Sequence, residues 1–207
     1  MLPPEFFQRD PLTCAVDLIG CQLVWDHGSG IIVETEAYAA LGDEACHTFL
    51  RRGAQKFVDV HPAGTAYIYL NYGIHWLVNV LVKGGAMDGF VLIRALKPVT
   101  GLERMRECRK LDAERQLCSG PGKLTQALGI QATFHGSSLC HDGRRCFRAA
   151  EEGQASPGVL QDVRIGISRA ADLPWRFLAE GSRYVSRAPT RVAGPLDRAV
   201  WPVWPRA

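Results

Sequence analysis

Gly30 to Tyr38 is rich in β-forming residues, and apolar residues run almost unbroken through His75 to Val82 and Phe90 to Leu96. Helical spacing is confined to a few short stretches. Asp10-Pro11 supplies a cap and a first-turn proline; Leu12, Ala15, Val16, Leu18 and Ile19 then form an apolar face that stops at Gly20, which predicts a short helix. Cys21 to Trp25 and Gly30 to Tyr38 predict a hairpin around Asp26-His27-Gly28-Ser29. Thr65 to Leu70 and His75 to Val82 predict a second around Asn71-Tyr72-Gly73-Ile74, and Phe90 to Leu96 adds a strand after the Gly84-Gly85 break. Thr100-x-x-Glu103 has the capping-box pattern of a polar helix with Leu102, Met105 and Leu111 near one side, and Ser119-Gly-Pro121 opens another helix that ends at Gly129. Gln131 to Val159 reads as mostly loop with one strand, and short strands near Val163–Ile167, Trp175–Ala179 and Arg183–Ser186 close the chain. Strands in hairpins, with helices gathered elsewhere, predict an α+β fold with a largely antiparallel sheet, in a single domain spanning residues 1–207.

Composition changes this picture little. The 47% hydrophobic and 22% charged content suits a folded chain with a real core rather than a disordered tail. No apolar stretch approaches the roughly 20 residues that span a bilayer, and Met1-Leu2-Pro3-Pro4-Glu5 lacks the plan of a signal peptide, so no membrane association and an intracellular location are expected: cytoplasmic, with the nucleoid, in a bacterium. Net charge is only +3, but from Arg164 onward eight arginines face three carboxylates, a balance suited to phosphate contact or simply to an arginine-rich surface. Seven cysteines without a Cys-x-x-Cys pair favour reduced thiols. His135, Cys140, His141 and Cys146 could offer four metal donors, but their irregular spacing favours loop residues without a ligand.

The candidate chemistry lies in the strands. Side chains two apart share a strand face, so Glu34, Glu36 and Tyr38 point one way and Val33, Thr35 and Ala37 the other. That pattern also fits a half-exposed strand with its polar face in water. Asn79 and Arg94, however, interrupt the apolar runs Trp76–Val82 and Val91–Leu96, and polar groups so placed need a partner or a task. Tyr67, Tyr69 and Tyr72 are either ordinary sheet tyrosines or rings on which a flat base can stack. His47 fits a helix end better than catalysis, and the acidic set Glu34, Glu36, Asp43 and Glu44 with His47 lacks the spacing of a cation site.

Taken in order, Ile32-Val-Glu-Thr-Glu-Ala-Tyr38, Asp43-Glu-Ala-Cys-His47, Gly64-Thr-Ala-Tyr-Ile-Tyr-Leu-Asn-Tyr-Gly73 with Asn79, Val91-Leu-Ile-Arg-Ala-Leu96 and Leu117-Cys-Ser-Gly-Pro-Gly-Lys-Leu124 resemble the alkyladenine (3-methyladenine) DNA glycosylases, from Glu5-Phe6-Phe7 to Gly181-Ser182. The resemblance implies a compact curved sheet with flanking helices, similar to the C-terminal domain of methionyl-tRNA formyltransferase, with no metal and no organic cofactor. It implies a monomer acting on double-stranded DNA that contains damaged purines. Position by position, it makes Glu36 the base that activates water and Arg94 the arginine that holds that water and carboxylate. Tyr38, His47 and Tyr69 surround the flipped base, Tyr72 wedges into the duplex, Asn79 opposes the exocyclic amine of guanine, and the backbone carbonyl of Ile165 touches the catalytic water. Two segments depart from the family pattern: the loop from Thr48 to Ala63, and Ile74-His75 after the wedge glycine.

This set is coherent chemically. Cleaving an N-glycosidic bond builds positive charge on the sugar, and one carboxylate can stabilise that charge and take a proton from water. A base buried in a duplex must first be extruded, at a cost that a wedge and stacking rings offset. A non-enzymatic nucleic-acid-binding domain would have no need of Glu36 facing an anionic polymer, and a metal-dependent hydrolase would be sensitive to a chelator. Arg183 and Arg187 of the basic C-terminal segment are expected to contact phosphates, and Glu34 is expected to tolerate an amide.

Overall fold

The computed structural model describes residues 1–150, 157–197, 199 and 201–202. Of the C-terminal arginines, Arg198 and Arg206 lie outside the described residues. Among the described residues nine strands form one sheet in which every pairing is antiparallel: β1 (Gln22–Trp25), β2 (Gly28–Ala39), β3 (Ala66–Asn71), β4 (His75–Val82), β5 (Gly89–Thr100), β6 (Arg145–Arg148), β7 (Val159–Asp162), β8 (Arg176–Ala179) and β9 (Gly194–Pro195). The spatial order is β3-β4-β5-β2-β8-β7-β9, with β1 on β2 and β6 on β1. Six α-helices among the described residues, α1 (Pro11–Asp17), α2 (His47–Leu50), α3 (Arg52–Val60), α4 (Leu102–Arg109), α5 (Glu114–Leu117) and α6 (Pro121–Leu128), complete an α+β architecture.

β2 organises the sheet. One of its edges pairs with β5 over nearly its full length; the other is shared, first by β1 against Gly28–Ile31 and then by β8 against Glu34–Glu36. The β2–β5 register slips around Glu34, which lies opposite Ala95. Alternation then sorts the side chains. Val33, Ala37, Ile68, Val78, Val80, Val91, Ile93 and Phe177 point into the main core with α1, and the Thr35 hydroxyl donates to the Ala15 carbonyl (2.8 Å). On the opposite face a smaller apolar cluster of Cys46, Ala54, Phe57, Val58, Tyr67, Leu81 and Phe90 covers part of the sheet. Asn79 and Arg94, which interrupt the apolar runs of β4 and β5, stand on this second face.

Several sequence-based boundaries shift for visible reasons. α1 begins as anticipated, its Asp10 carboxylate accepting from the Thr13 N–H (2.9 Å). The capping box does not form: β5 runs on to Thr100, whose hydroxyl bonds Ser29 (2.7 Å), and Gly101 at φ 76° caps α4 instead. The segment read as a loop from Thr48 to Ala63 is largely helical, because Ala54, Phe57 and Val58 bury one side of α3. Of the 131–159 segment, the described residues 131–150 and 157–159 are mostly irregular and contribute β6 and the start of β7; residues 151–156 lie outside the described residues. The strand anticipated over Val163–Ile167 ends at Asp162, and Arg183–Ser186 forms turns and bends rather than a strand. No helix among the described residues is long and apolar enough to cross a membrane.

Candidate active site

β2, β3, β4 and β5, with the loops at 45–47 and 165–167, enclose a cavity of about 300 Å³. The positions of its side chains follow from strand parity: Tyr38 on β2, Tyr67 and Tyr69 on β3, Leu77 and Asn79 on β4, and Phe90, Leu92 and Arg94 on β5 all share the second face of the sheet. His47, at the start of α2, and Ile165, in the turn after β7, close it from the sides. Six residues singled out from the sequence, Tyr38, His47, Tyr69, Asn79, Arg94 and Ile165, therefore line one cavity, and Tyr72 stands at it as well.

Glu36 sits behind this lining with no exposed surface. Its Oε2 accepts from the Tyr38 hydroxyl (2.7 Å) and faces Arg94 Nη1 (3.2 Å), and its Oε1 accepts from the Ile165 backbone N–H (2.7 Å). It is thus the N–H of Ile165 that touches the carboxylate. Burial alone would lower the Arg94 pKa, but the Glu36 and Glu34 carboxylates outweigh it and the net shift is upward. Burial, then the Glu36 charge, pushes Tyr38 well above its ordinary value, so Tyr38 is a neutral hydrogen-bond donor.

Glu34, expected from the sequence to tolerate an amide, is fully buried and accepts four hydrogen bonds: Arg94 Nε (3.0 Å) and Arg176 Nε (2.8 Å) on Oε1, Ser186 Oγ (2.8 Å) on Oε1 and Ser186 N (2.5 Å) on Oε2. Arg176 continues the network to Asp162 Oδ2 (3.0 Å) and to the Arg187 carbonyl (2.6 Å), and Asp162 receives Thr190 N (2.9 Å) and the Thr190 hydroxyl. A second buried pair, Arg164 and Asp43, is bidentate at 2.6 and 2.9 Å; Arg164 also donates to the Ala37 carbonyl (3.0 Å) and lies over the Tyr38 ring at 4.7 Å. Asp43 in turn accepts from the backbone N–H groups of Ala39 and Ala45, so this pair fixes the loops that carry Ile165 and His47. Sequence reasoning missed Arg164 and Arg176, although Arg176 interrupts the apolar run Trp175–Ala179 just as Arg94 interrupts its own.

The other side of the cavity is aromatic. His47 Nδ1 lies 3.1 Å from the Tyr67 hydroxyl, and its ring stacks at a tilt on Tyr69 with centroids 4.2 Å apart. Burial, then the nearby Arg51 charge, lowers the His47 pKa to about 4, so the ring is neutral at pH 7. Burial likewise raises Tyr67 to about 12 and raises Tyr69. Asn79 is held across the β3–β4 ladder, its Nδ2 donating to the Tyr67 carbonyl (3.1 Å). At the hairpin tip Tyr72 adopts φ 49° beside Gly73 at φ 69°, a left-handed pair that turns the chain and leaves the Tyr72 ring 83% exposed.

Other sequence candidates fall elsewhere. Arg183 and Arg187 do not line the cavity; both are exposed, with backbone carbonyls held by Arg115 (2.7 Å) and Arg176. His135 Nδ1 accepts from the Ile68 N–H (3.0 Å), Cys146 Sγ donates to the Gly143 carbonyl, and Cys140 is buried with its thiol pushed up to about 11. Among the described residues no three His, Cys, Asp or Glu side chains gather into a metal-binding group.

Comparison with known proteins bears on this geometry. A profile of the family described as methylpurine-DNA glycosylase matches residues 5–183. Three similar proteins carry the name "Putative 3-methyladenine DNA glycosylase". That of Methanoculleus marisnigri is 46% identical over 191 residues, covering 90% of this chain and 98% of the relative. That of Rhodopseudomonas palustris strain HaA2 is 45% identical over 182 residues, covering 88% of each, and that of Nitrobacter winogradskyi is 44% identical over 193 residues, covering 93% and 90%.

Proposed function

The chain belongs to the methylpurine-DNA glycosylase family, and we propose that it flips alkylated or deaminated purines out of duplex DNA and hydrolyses their N-glycosidic bond with a water activated by Glu36, leaving an abasic site. The family makes it a DNA repair enzyme that cleaves N-glycosyl bonds. The reading of its mechanism rests above all on the Glu36 carboxylate. A carboxylate offers roughly four acceptor positions. On Oε2, Tyr38 and Arg94 take two; on Oε1, Ile165 N–H takes one, which leaves an acceptor position on Oε1 uncommitted for the water of the reaction.

In the proposed reaction the C1′–N bond of the extruded nucleotide breaks as positive charge develops on the sugar. Glu36 stabilises that charge, takes a proton from the water on Oε1, and the water oxygen bonds to C1′. The departing purine carries away the bonding electron pair. A cationic 3-methylpurine leaves as a neutral base, whereas hypoxanthine requires protonation. Tyr38, His47 and Tyr69 provide the flat faces that receive the base, and a neutral His47 places no positive charge against a cationic lesion. Tyr72 fills the vacated stack, Asn79 obstructs the exocyclic amine of guanine, and Arg183 and Arg187 meet phosphates. We take the working form to be a monomer acting on genomic DNA inside the cell, without a metal or organic cofactor.

The test is Glu36→Gln on duplexes that each hold one defined lesion, treated with and without chelator and then cleaved at abasic sites. Excision should fall by on the order of a thousandfold, with lesion-DNA binding retained. A variant that excises at the wild-type rate would sink the assignment of Glu36, and loss of activity in chelator would favour a metal-dependent hydrolase.

A further inference from the structure

Glu34 has no task in the reaction as described, yet it occupies the centre of the buried charge cluster. We infer that Glu34 is a positioning residue for hydrolysis: it orients Arg94 against Glu36 and sets the net charge of the cluster, an inference that rests on Glu36 being the base. The guanidinium of Arg94 is planar, so its contacts are not independent. With Nε on Glu34 Oε1 (3.0 Å) and Nη2 at the Ser186 hydroxyl (3.4 Å), Nη1 is aimed at Glu36 Oε2 (3.2 Å). Glu34 cannot swing away, because Arg176 and the Ser186 N–H and hydroxyl hold both its oxygens.

Charge balance points the same way. Glu34, Glu36 and Asp162 are three carboxylates around two guanidinium groups, Arg94 and Arg176, all buried. The cluster therefore carries one net negative charge beside the cavity, where a developing oxocarbenium ion gains most from it. A glutamine at position 34 would keep the shape but bring the cluster to neutrality and loosen the Arg94 fork. The Arg94 charge would then act on Glu36 without a second carboxylate to share it.

The experiment compares single-turnover excision of hypoxanthine, lesion-DNA affinity and melting temperature for the wild type, Glu34→Gln, Ser186→Ala, Ser186→Thr and Glu36→Gln. Partners that orient a reacting group are worth on the order of 10- to 100-fold. Glu34→Gln should slow excision by that amount with affinity for the lesion duplex unchanged. Ser186→Ala should slow it in the same sense, and Ser186→Thr, which keeps the hydroxyl, should restore it. A lowered melting temperature at wild-type rate would show Glu34 to be structural only and overturn the inference. Should Glu34→Gln fail to fold, the serine pair decides, since a wild-type rate for Ser186→Ala is equally fatal. Glu36→Gln separates the two levels: an inactive Glu36→Gln beside a fully active Glu34→Gln refutes this role alone, whereas a fully active Glu36→Gln removes the mechanism on which it stands.

Discussion

The carboxylate side of the cavity and its aromatic side meet at Tyr38, but they are made differently. On the first, Glu34, Glu36 and Asp162 are fixed by Arg94, Arg176 and backbone N–H groups, each bond with a named partner at 2.5 to 3.2 Å. On the second, His47, Tyr67 and Tyr69 touch one another mostly through ring faces and edges, and burial moves their titrations away from neutrality. A carboxylate side so fully bonded has little slack, so changes there should register in rate or stability. A neutral aromatic side adapts to different flat ligands, and changes there should register in selection.

The largest departure should come from Arg176→Met, which removes the cation between Glu34 and Asp162, taking away the ion-pair partner of Asp162 and leaving Glu34 with the Arg94 cation alone. Breaking such a buried pair costs about 3–5 kcal/mol, which for a chain of this size lowers the melting temperature by roughly 6–20 °C. Calorimetry that finds no change would show that the network is dispensable for stability and blur the contrast between the two sides. Asn79→Ala should raise excision of guanine-derived bases relative to hypoxanthine by about tenfold. If the rate ratio stays fixed while the melting temperature drops, Asn79 only braces the β3–β4 ladder through Tyr67.

A smaller effect is expected from acid. The unfolded chain protonates His47 near its ordinary 6.5, whereas the folded chain resists to about pH 4, so the stability tied to the neutral ring is present above pH 6.5 and declines as the pH falls towards 4. NMR titration of the His47 ring should find its midpoint near 4; a midpoint near 6.5 would show that burial does not hold the ring neutral and remove this contribution to acid sensitivity. The smallest change belongs to Arg187→Ala, which should reduce the dependence of log binding on log salt by about one unit. An unchanged slope would place Arg187 off the DNA.

Parity puts Glu36 and Tyr38 on one face of their strand, and the resemblance to the glycosylases adds His47, Tyr69, Asn79 and Arg94; in the structure Tyr38, His47, Tyr69, Asn79 and Arg94 line one cavity. The roles of Arg164, the Ile165 N–H and Ser186 were not legible in the sequence, since they come from segments whose backbone obeys no period. Val163–Ile167 was expected to extend a strand; instead the chain turns after Asp162, and Arg164 reaches Asp43 while the Ile165 N–H reaches Glu36. At Ser186 the backbone N–H is committed to Glu34 rather than to a neighbouring strand. Thr100 illustrates the same limit locally, its hydroxyl drawn to Ser29 on β2 and lost to the helix it was expected to cap.

Sequence separation gives the charge cluster a history as well as a geometry. Glu34 lies 142 residues from Arg176 and 152 from Ser186, Glu36 lies 129 from Ile165, and Asp43 lies 121 from Arg164. As the chain leaves the ribosome, β2 to β5 can pair long before these partners exist, so the early sheet carries its carboxylates bare and hydrated. Closing such distant contacts is slow relative to local pairing. The charge cluster is therefore assembled late, and a nascent chain stalled before residue 186 would hold its early sheet without the bonds that order Glu34 and Arg94.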